Sequence, residues 1–117
     1  MSDDNSPEII KHIDEKCIIL TINQEHMERY NNDVYEASRH IWDLNIKRAQ
    51  KAELILVSFG RIVVGVFSNL SWYKENGGIS FDGEPAQKSI SNKYMGKIIS
   101  FDIIKEACKN PRKYINL

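Results

Sequence analysis

The sequence predicts an α+β fold with a small, curved, mostly antiparallel, β-barrel-like sheet and two or three short helices. Two dense apolar runs, 54–59 and 62–67, are separated only by Gly60 and Arg61, which is the pattern of a tight hairpin. About five or six short segments have strand-like composition. The helical patterns come early and do not alternate regularly with the strands, which argues against a Rossmann-type parallel sheet.

Length and composition indicate one domain. A chain of 117 residues is long enough for one hydrophobic core without metal or disulfide support, and too short for two. Hydrophobic residues make up 42% and charged residues 27%, as in ordinary globular proteins. Because residues 1–12 are polar and acidic, we expect a flexible N-terminal tail there and a single domain over 13–117.

The first half of the chain has a short strand followed by helical segments. Residues 17–22 form a β-rich apolar run that predicts a buried strand, and the polar residues 23–32 predict a loop or a single helical turn. Asp33 and Glu36 have the spacing of a capping box, which predicts a helix over 34–42. In the same way, Asn45 predicts a second short helix over 46–51.

The predicted helix 34–42 has two different faces. Apolar residues at helical spacing form the face that we expect in the core: Val34, Ala37 and Ile41. Aromatic and polar residues form the other face: Tyr35, Ser38, Arg39 and Trp42. On that second face, the guanidinium of Arg39 lies within stacking reach of two aromatic rings.

The hairpin is the centre of the predicted sheet. Gly60 can adopt the positive φ that the first central position of a type II′ turn requires. The nearly continuous apolar content of both strands predicts that both sheet faces are covered. Gly65, inside the second strand, predicts a bulge or a close approach of another group.

The second half of the chain carries large aromatic residues and then short elements. We predict that 69–78, with Trp72 and Tyr73, is a loop, and loops of this kind often hold ligands. A short strand follows at 79–81. The remaining predicted segments are a helical turn over 86–92, a strand over 98–101, a helical turn over 102–108 and a closing strand over 112–117.

Charge and targeting features exclude some classes of function. The chain has 16 basic and 16 acidic residues, which argues against nucleic-acid binding by bulk electrostatics, although lysines concentrate towards the C-terminus. No apolar run approaches the roughly 18 residues that span a bilayer, and the acidic start does not resemble a signal peptide. We therefore expect a cytoplasmic protein that does not associate with membranes.

The sequence offers little support for a metal or a cofactor. Cys17 and Cys108 are far apart and form no CxxC pattern, so we expect two reduced cysteines. The three histidines, His12, His26 and His40, have no spacing typical of a metal site. No GxSxG nucleophile elbow is present, so catalysis by Ser, His and Asp is also unsupported.

Several short motifs together resemble a known group of domains. They are VYEASRHIW at 34–42, the apolar hairpin, FDG at 81–83, KYMGK at 93–97 and NPRKY at 110–114. Their order resembles small, largely uncharacterised bacterial and phage domains that read YEATRGxWR, an apolar hairpin, FxG, KYxGK and NPxKY. Ser38, His40 and Asp43 depart from the helix pattern, where that group has Thr, Gly and Arg.

More loosely, the arrangement resembles the PUA-like superfamily, which includes EVE, YTH and ASCH domains. That resemblance implies a small curved barrel that holds a nucleobase in a pocket beside an early helix. Such a pocket needs flat apolar surfaces for stacking and polar groups that contact the base edge. The candidate ligand-binding residues are Tyr35, Ser38, Arg39, Trp42, Trp72, Tyr73 and Phe81. The candidate phosphate contacts are Arg61, Lys93, Lys97, Arg112 and Lys113.

Three functions remain open from the sequence. The first is a non-catalytic binding module for a nucleotide or for a base of single-stranded or modified nucleic acid. The second is a protein-interaction module of a phage or defence-associated system. The third is a small amidohydrolase, which the ASCH resemblance implies through a Lys, Thr and Glu set, here Lys16, Thr21 and Glu25. A polar cleft between 34–42 and 69–78 favours the first function. A flat exposed apolar patch or a two-fold contact through Trp72 favours the second, and a buried lysine beside Thr21 favours the third.

Overall fold

Seven strands and five short helices form an α+β fold in the part of the chain that the structure describes. The structure is a computed structural model, and it describes residues 8–40, 42–104 and 112–117. The predicted α+β class is confirmed. The sheet is neither closed nor strongly curled, so the barrel-like curvature expected from the sequence is not found.

The elements follow one another as short segments around one long strand. In chain order they are β1 (Ile9–Ile10), β2 (Cys17–Ile22), α1 (Gln24–Arg29), α2 (Val34–Arg39), α3 (Ile46–Ala49), β3 (Leu54–Phe59), β4 (Ile62–Glu75), β5 (Gly78–Pro85), α4 (Lys88–Tyr94), β6 (Ile98–Ile99), α5 (Phe101–Ile104) and β7 (Arg112–Ile115). The predicted strand over 17–22 is confirmed at both ends. The predicted helices over 34–42 and 46–51 are shorter in the structure, because α2 ends at Arg39 and α3 at Ala49.

The sheet is mixed. Its strand order is β1-β6-β4-β3-β2-β7, and β5 pairs with β4 beside this path. Two pairings are parallel, β1 with β6 and β2 with β3, whereas the other four are antiparallel. The parallel pairing of β2 and β3 follows from the crossover through α1, α2 and α3, which returns the chain to the same end of the sheet.

The central hairpin has the predicted form. Phe59 pairs with Ile62 across a two-residue connection, and Gly60 has a φ of +64°. The predicted bulge is also present, because the register of β3 and β4 shifts between Val57 and Ser58, opposite Gly65. A Cβ atom on Gly65 would lie 2.9 Å from the Phe67 ring, so a side chain at this position requires the neighbouring ring to move.

The predicted loop over 69–78 is wrong. β4 continues to Glu75, and β5 begins at Gly78 after a tight turn. Asn76 and Gly77 both have positive φ, 45° and 87°, as a type I′ hairpin turn requires. The register of β4 against β5 shifts between Ser68 and Ser71, where Asn69 has a φ of 54°. The polar residues at this irregular point have the composition of a loop, which explains why the prediction was wrong.

Both faces of the sheet are covered, as the apolar strands predict. In β2 the side chains alternate between two buried clusters, with Ile18 and Leu20 on one side and Cys17 and Ile19 on the other. The first cluster packs against α1, α2 and α3. The second cluster includes buried residues of β1, α4, β6 and α5. The core is therefore split into two layers by one sheet.

Some predictions fall partly or wholly outside the described residues. Ile9 and Ile10, which lie within the predicted tail, form β1, and Ile10 is buried in the core. Residues 1–7, Ile41 and residues 105–111 are not described. The predicted core position of Ile41, the state of Cys108 and the end of the helical turn over 102–108 therefore lie outside the described part.

Candidate functional site

The outer edge of β5 is covered by α2 and by the residues that follow it. Trp42 forms a two-way backbone bridge with Ile79, with N···O distances of 2.7 and 2.9 Å. Arg39 Nε donates to the carbonyl of Phe81 at 3.1 Å, and the amide of Gly83 donates to the hydroxyl of Tyr35 at 3.1 Å. These contacts pair backbone groups of Ile79, Phe81 and Gly83 at the strand edge, and the bridge to Ile79 explains why α2 stops before Trp42.

Arg39 is held by partners within the protein. Its Nη2 donates to the hydroxyl of Tyr73 at 2.8 Å and to the carboxylate of Asp82, and its Nη1 donates to Glu36 at 3.4 Å. Its side chain is only 16% exposed. Burial alone would lower the pKa of Arg39, but the hydrogen bond to Asp82 and the nearby charges outweigh burial and raise it. Arg39 is therefore a charged connection between α2 and the β4–β5 hairpin.

Residues 36, 40 and 75 form a polar cluster beside Arg39 that sequence reasoning missed. His40 Nδ1 lies 2.9 Å from Glu75, and His40 Nε2 lies 3.0 Å from Glu36. Ser80 Oγ also donates to Glu75, at 3.0 Å. The hydrogen bond with His40 is the main reason that the pKa of Glu75 is lowered. The i,i+4 spacing of Glu36 and His40 was visible in the sequence, but their link to Glu75 was not.

The predicted ligand-binding residues lie close together, and most of them pack between α2 and the β4–β5 hairpin. Trp42 is 6% exposed, and its Nε1 donates to the carbonyl of Ser38 at 2.6 Å. Ser38 and Phe81 are fully buried. Trp72 is half-buried and packs on Phe81 with a ring-centroid distance of 5.4 Å. Tyr35 packs on Phe67 and lies 5.4 Å from the Arg39 guanidinium, as the helical spacing predicts. The second predicted ring, Trp42, lies beyond the end of α2 and stacks with His26 instead, at a ring-centroid distance of 6.1 Å.

An open cleft lies next to these residues, at the turn of the β4–β5 hairpin. Its volume is about 410 Å³. It is lined by Trp42, Asp43, Leu44, Lys74, Glu75, Asn76, Gly77, Gly78 and Ile79. Of the seven predicted ligand-binding residues, all of which are described, Trp42 lines the cleft. The cleft is therefore beside the predicted site, and the hairpin turn forms most of its wall.

The predicted phosphate contacts are spread over the sheet. Arg61 Nε donates to the carbonyl of Ile99 at 3.1 Å, near the hairpin turn of β3 and β4. Lys97 pairs with Glu8 at 3.2 Å, and Lys93 pairs with Glu15 at 2.6 Å. Arg112 and Lys113 lie in β7, at the other end of the strand order from β1 and β6. These residues do not line the cleft described above.

The Lys93 contact with Glu15 predicts acid-sensitive stability. Burial tends to raise the pKa of Glu15, but hydrogen bonds from Lys93 and Tyr94 outweigh burial and lower it. A lowered carboxyl pKa stabilises the fold at neutral pH, and this contribution is lost as the pH falls through the folded-state pKa. We expect Glu15→Gln to lower the free energy of unfolding at pH 7 by about 1 kcal/mol and to weaken its dependence on pH below about 5.

Urea denaturation across a pH series measures this effect. The matched control is Glu25→Gln, because Glu25 is 77% exposed and pairs only with Arg29 among the described residues. The control should keep both the wild-type stability and the wild-type pH profile. If Glu15→Gln leaves the acid dependence of stability unchanged, the Glu15 carboxylate does not have the stabilising role assigned to it.

The residues named for an amidohydrolase are exposed or have partners outside that set. Thr21 is hydrogen-bonded to Ser58 at 2.9 Å, whereas Lys16 is exposed before β2 and Glu25 pairs with Arg29. Burial is the main reason that the pKa of Cys17 is raised to about 12, so its thiol is a poor nucleophile. Among the described residues, no group of three or more His, Cys, Asp or Glu side chains is arranged to hold a metal ion.

Comparison of the chain with protein families, curated proteins and solved structures finds no match. In the part of the chain that the structure describes, no helix has the length and apolar character needed to cross a membrane.

Proposed function

We propose that this domain is a non-catalytic binding module whose ligand is a nucleotide or a base of single-stranded or modified nucleic acid. The observation that supports this proposal is the cleft at the β4–β5 turn. Its volume of about 410 Å³ lies within the usual size range of small-molecule pockets. A single nucleotide is therefore a ligand of suitable size.

The cleft combines an aromatic residue with groups that can donate and accept hydrogen bonds. A hydrogen bond from Trp42 Nε1 to the carbonyl of Ser38 holds the indole in place. Asp43 and Lys74 are both exposed, and they offer an acceptor and a cationic donor at the cleft. The Cβ position of Gly77 has no atom within 4 Å, so a ligand can approach the turn backbone closely.

The charges around the cleft suit a ligand with both a base edge and a phosphate. Lys74 can contact a phosphate oxygen, and Asp43 can accept hydrogen bonds from base amino groups. Glu75 is partly engaged by His40 and Ser80, so it forms a fixed wall of the cleft. A nucleotide would meet opposite charges on neighbouring sides of the site.

The relation to the PUA-like superfamily remains part of the proposal. A base held beside an early helix agrees with that resemblance, because Trp42 is the third residue after the end of α2. The open sheet gives no support to a PUA-like barrel. The amidohydrolase alternative gains nothing from the separated positions of Lys16, Thr21 and Glu25. A cytoplasmic location likewise stays a prediction.

NMR titration of the isotope-labelled chain tests the proposal. The ligands are the four ribonucleoside monophosphates, oligo(dT) and oligo(rU). We expect shift changes to cluster at residues 42–44 and 74–79, and fluorescence of Trp42 to change in a Trp72→Phe variant, which leaves it as the sole indole. Lys74→Glu should weaken binding of the phosphate-bearing ligands by at least about tenfold.

The matched control is Lys51→Glu, because Lys51 is also an exposed lysine and lies outside the cleft. This variant carries the same change in net charge as Lys74→Glu. Because it leaves the cleft unchanged, it should bind like the wild type. If Lys51→Glu weakens binding as much as Lys74→Glu, the interaction is non-specific electrostatic attraction. The proposal fails if none of the ligands shifts the cleft residues at millimolar concentration.

A further inference from the structure

A row of four apolar side chains, three of them exposed and one (Ile98) half-buried, crosses the sheet near the turn between β3 and β4. Phe59 pairs with Ile62, Ile62 pairs with Ile98, and Ile98 pairs with Ile9. Directly paired residues in neighbouring strands place their side chains on the same face. We call these four residues the apolar row. It spans about 14 Å across β3, β4, β6 and β1, given the usual spacing of about 4.8 Å between strands.

The apolar row is the uncovered part of a face that is buried elsewhere. Phe59 also pairs with Ile22 of β2, and Ile22 is 1% exposed beneath the helices. By contrast, Ile9 is 53%, Ile62 42% and Phe59 37% exposed. Near the β3–β4 turn the helical layer therefore covers Ile22 but not Phe59, and the same sheet face continues into solvent. Exposed apolar side chains on neighbouring strands are typical of an interaction site.

A cation lies beside the apolar row. Arg61, in the hairpin turn, is exposed, and its guanidinium lies 5.9 Å from the ring of Phe101. Its Nε donates to the carbonyl of Ile99, which fixes the side chain close to the sheet. Phe101 is itself 54% exposed. The surface thus combines apolar side chains with a held positive charge.

We propose that the apolar row and Arg61 bind an amphipathic, acidic segment of another protein. The apolar side of the segment would cover Phe59, Ile62 and Ile9, and an Asp or Glu side chain would pair with Arg61. This surface is separate from the cleft, so the proposal does not depend on nucleotide binding.

The charge and composition around the apolar row disfavour other occupants. A second copy placed about a two-fold axis here would bring two Arg61 side chains together, and like charges oppose that contact. Residues 1–7, MSDDNSP, are mostly polar and cannot supply a matching apolar surface. A single-stranded nucleic acid needs aromatic stacking surfaces, whereas three of the four row residues are isoleucines. An acidic amphipathic protein segment matches both the apolar side chains of the row and the positive charge of Arg61.

Selection from a phage-displayed random peptide library tests the proposal, with the full chain as bait. We expect enriched peptides to combine apolar residues with Asp or Glu. For the synthesised peptides, Ile62→Ser should raise the dissociation constant by at least about tenfold. Arg61→Glu should reverse the charge preference in a repeat selection, towards Lys and Arg, which a purely structural role of Arg61 does not predict.

Met95→Ser is the matched control, because Met95 is 46% exposed and is not one of the paired row residues. It should leave the dissociation constant unchanged, and NMR spectra should show that all three variants are folded. The proposal is overturned if no peptides are enriched, if they lack the acidic preference, or if Ile62→Ser does not weaken them. It is also overturned if the row instead mediates self-association in sedimentation, or if oligo(dT) displaces the peptides from it.

Discussion

Phe81→Ala is expected to lower the free energy of unfolding by about 3–5 kcal/mol. The Phe81 side chain is fully buried, and its ring packs against those of Trp72, Tyr35 and Phe67 at centroid distances of 5.4, 6.3 and 6.3 Å. Truncation removes apolar surface from the core and leaves a cavity that these rings cannot fill, because α2 and β4 hold them in place. Urea denaturation followed by circular dichroism measures the change.

Phe101→Ala is the matched control for this prediction. The same atoms are removed from a side chain that is 54% exposed, so the loss should be within about 0.5 kcal/mol. If Phe81→Ala leaves too little folded protein, Phe81→Leu keeps most of the volume and should cost about 1–2 kcal/mol. Equal losses for Phe81→Ala and Phe101→Ala would show that Phe81 is not part of the core.

The central hairpin was predictable because its signals are local. Gly60 supplies the positive φ of the turn, and the apolar runs on either side predict β3 and the first part of β4. Gly65 is also a local signal, because a glycine inside a strand often lies at a bulge, as it does here. The extension of β4 was not predictable in this way. Its second half pairs with β5 through a register shift at 68–71, and the polar residues there have no strand-like pattern.

The end of α2 depends on contacts that are distant in sequence. The helical pattern continues to Trp42, but Trp42 instead forms a backbone bridge with Ile79. A strand-edge partner satisfies backbone groups that another helical turn would have to satisfy internally. Tertiary pairing therefore overrides the local helical spacing at this point.

The sequence predicted that two segments face each other, but of the seven predicted ligand-binding residues, all within the described part of the chain, only Trp42 lines the cleft. The sequence placed Arg39 and Trp42 opposite the aromatic segment around Trp72, and the structure brings these elements together. The Glu75 contact with His40 was missed because the two residues lie 35 positions apart. The partners of Lys93 and Lys97 were missed for the same reason, since Glu15 and Glu8 lie far away in sequence.

The two proposed binding surfaces lie at opposite ends of β4. Its first residue, Ile62, belongs to the apolar row, and its last residues, Lys74 and Glu75, line the cleft. Because β4 is 14 residues long, variants at one surface should not disturb binding at the other. Independent loss of peptide binding and nucleotide binding would therefore show two separate sites.

Arg39→Met is expected to lower the free energy of unfolding by about 2–3 kcal/mol. Methionine keeps much of the aliphatic packing but removes the donors to Phe81, Tyr73 and Asp82. The Phe81 carbonyl is then left at a partly buried strand edge without its partner, and α2 loses its charged connection to the hairpin. Amide hydrogen exchange should also become faster at Gly83, whose amide donates to Tyr35 of the same helix.

Arg29→Met is the matched control, because Arg29 is 58% exposed and makes a single i,i+4 ion pair with Glu25 among the described residues. Such pairs contribute about 0.3–0.5 kcal/mol, so the control should be nearly as stable as the wild type. A direct role of Arg39 in ligand binding makes a different prediction. Arg39→Met would then abolish nucleotide binding with little loss of stability. The inward contacts of Arg39 predict instead that the variant loses stability.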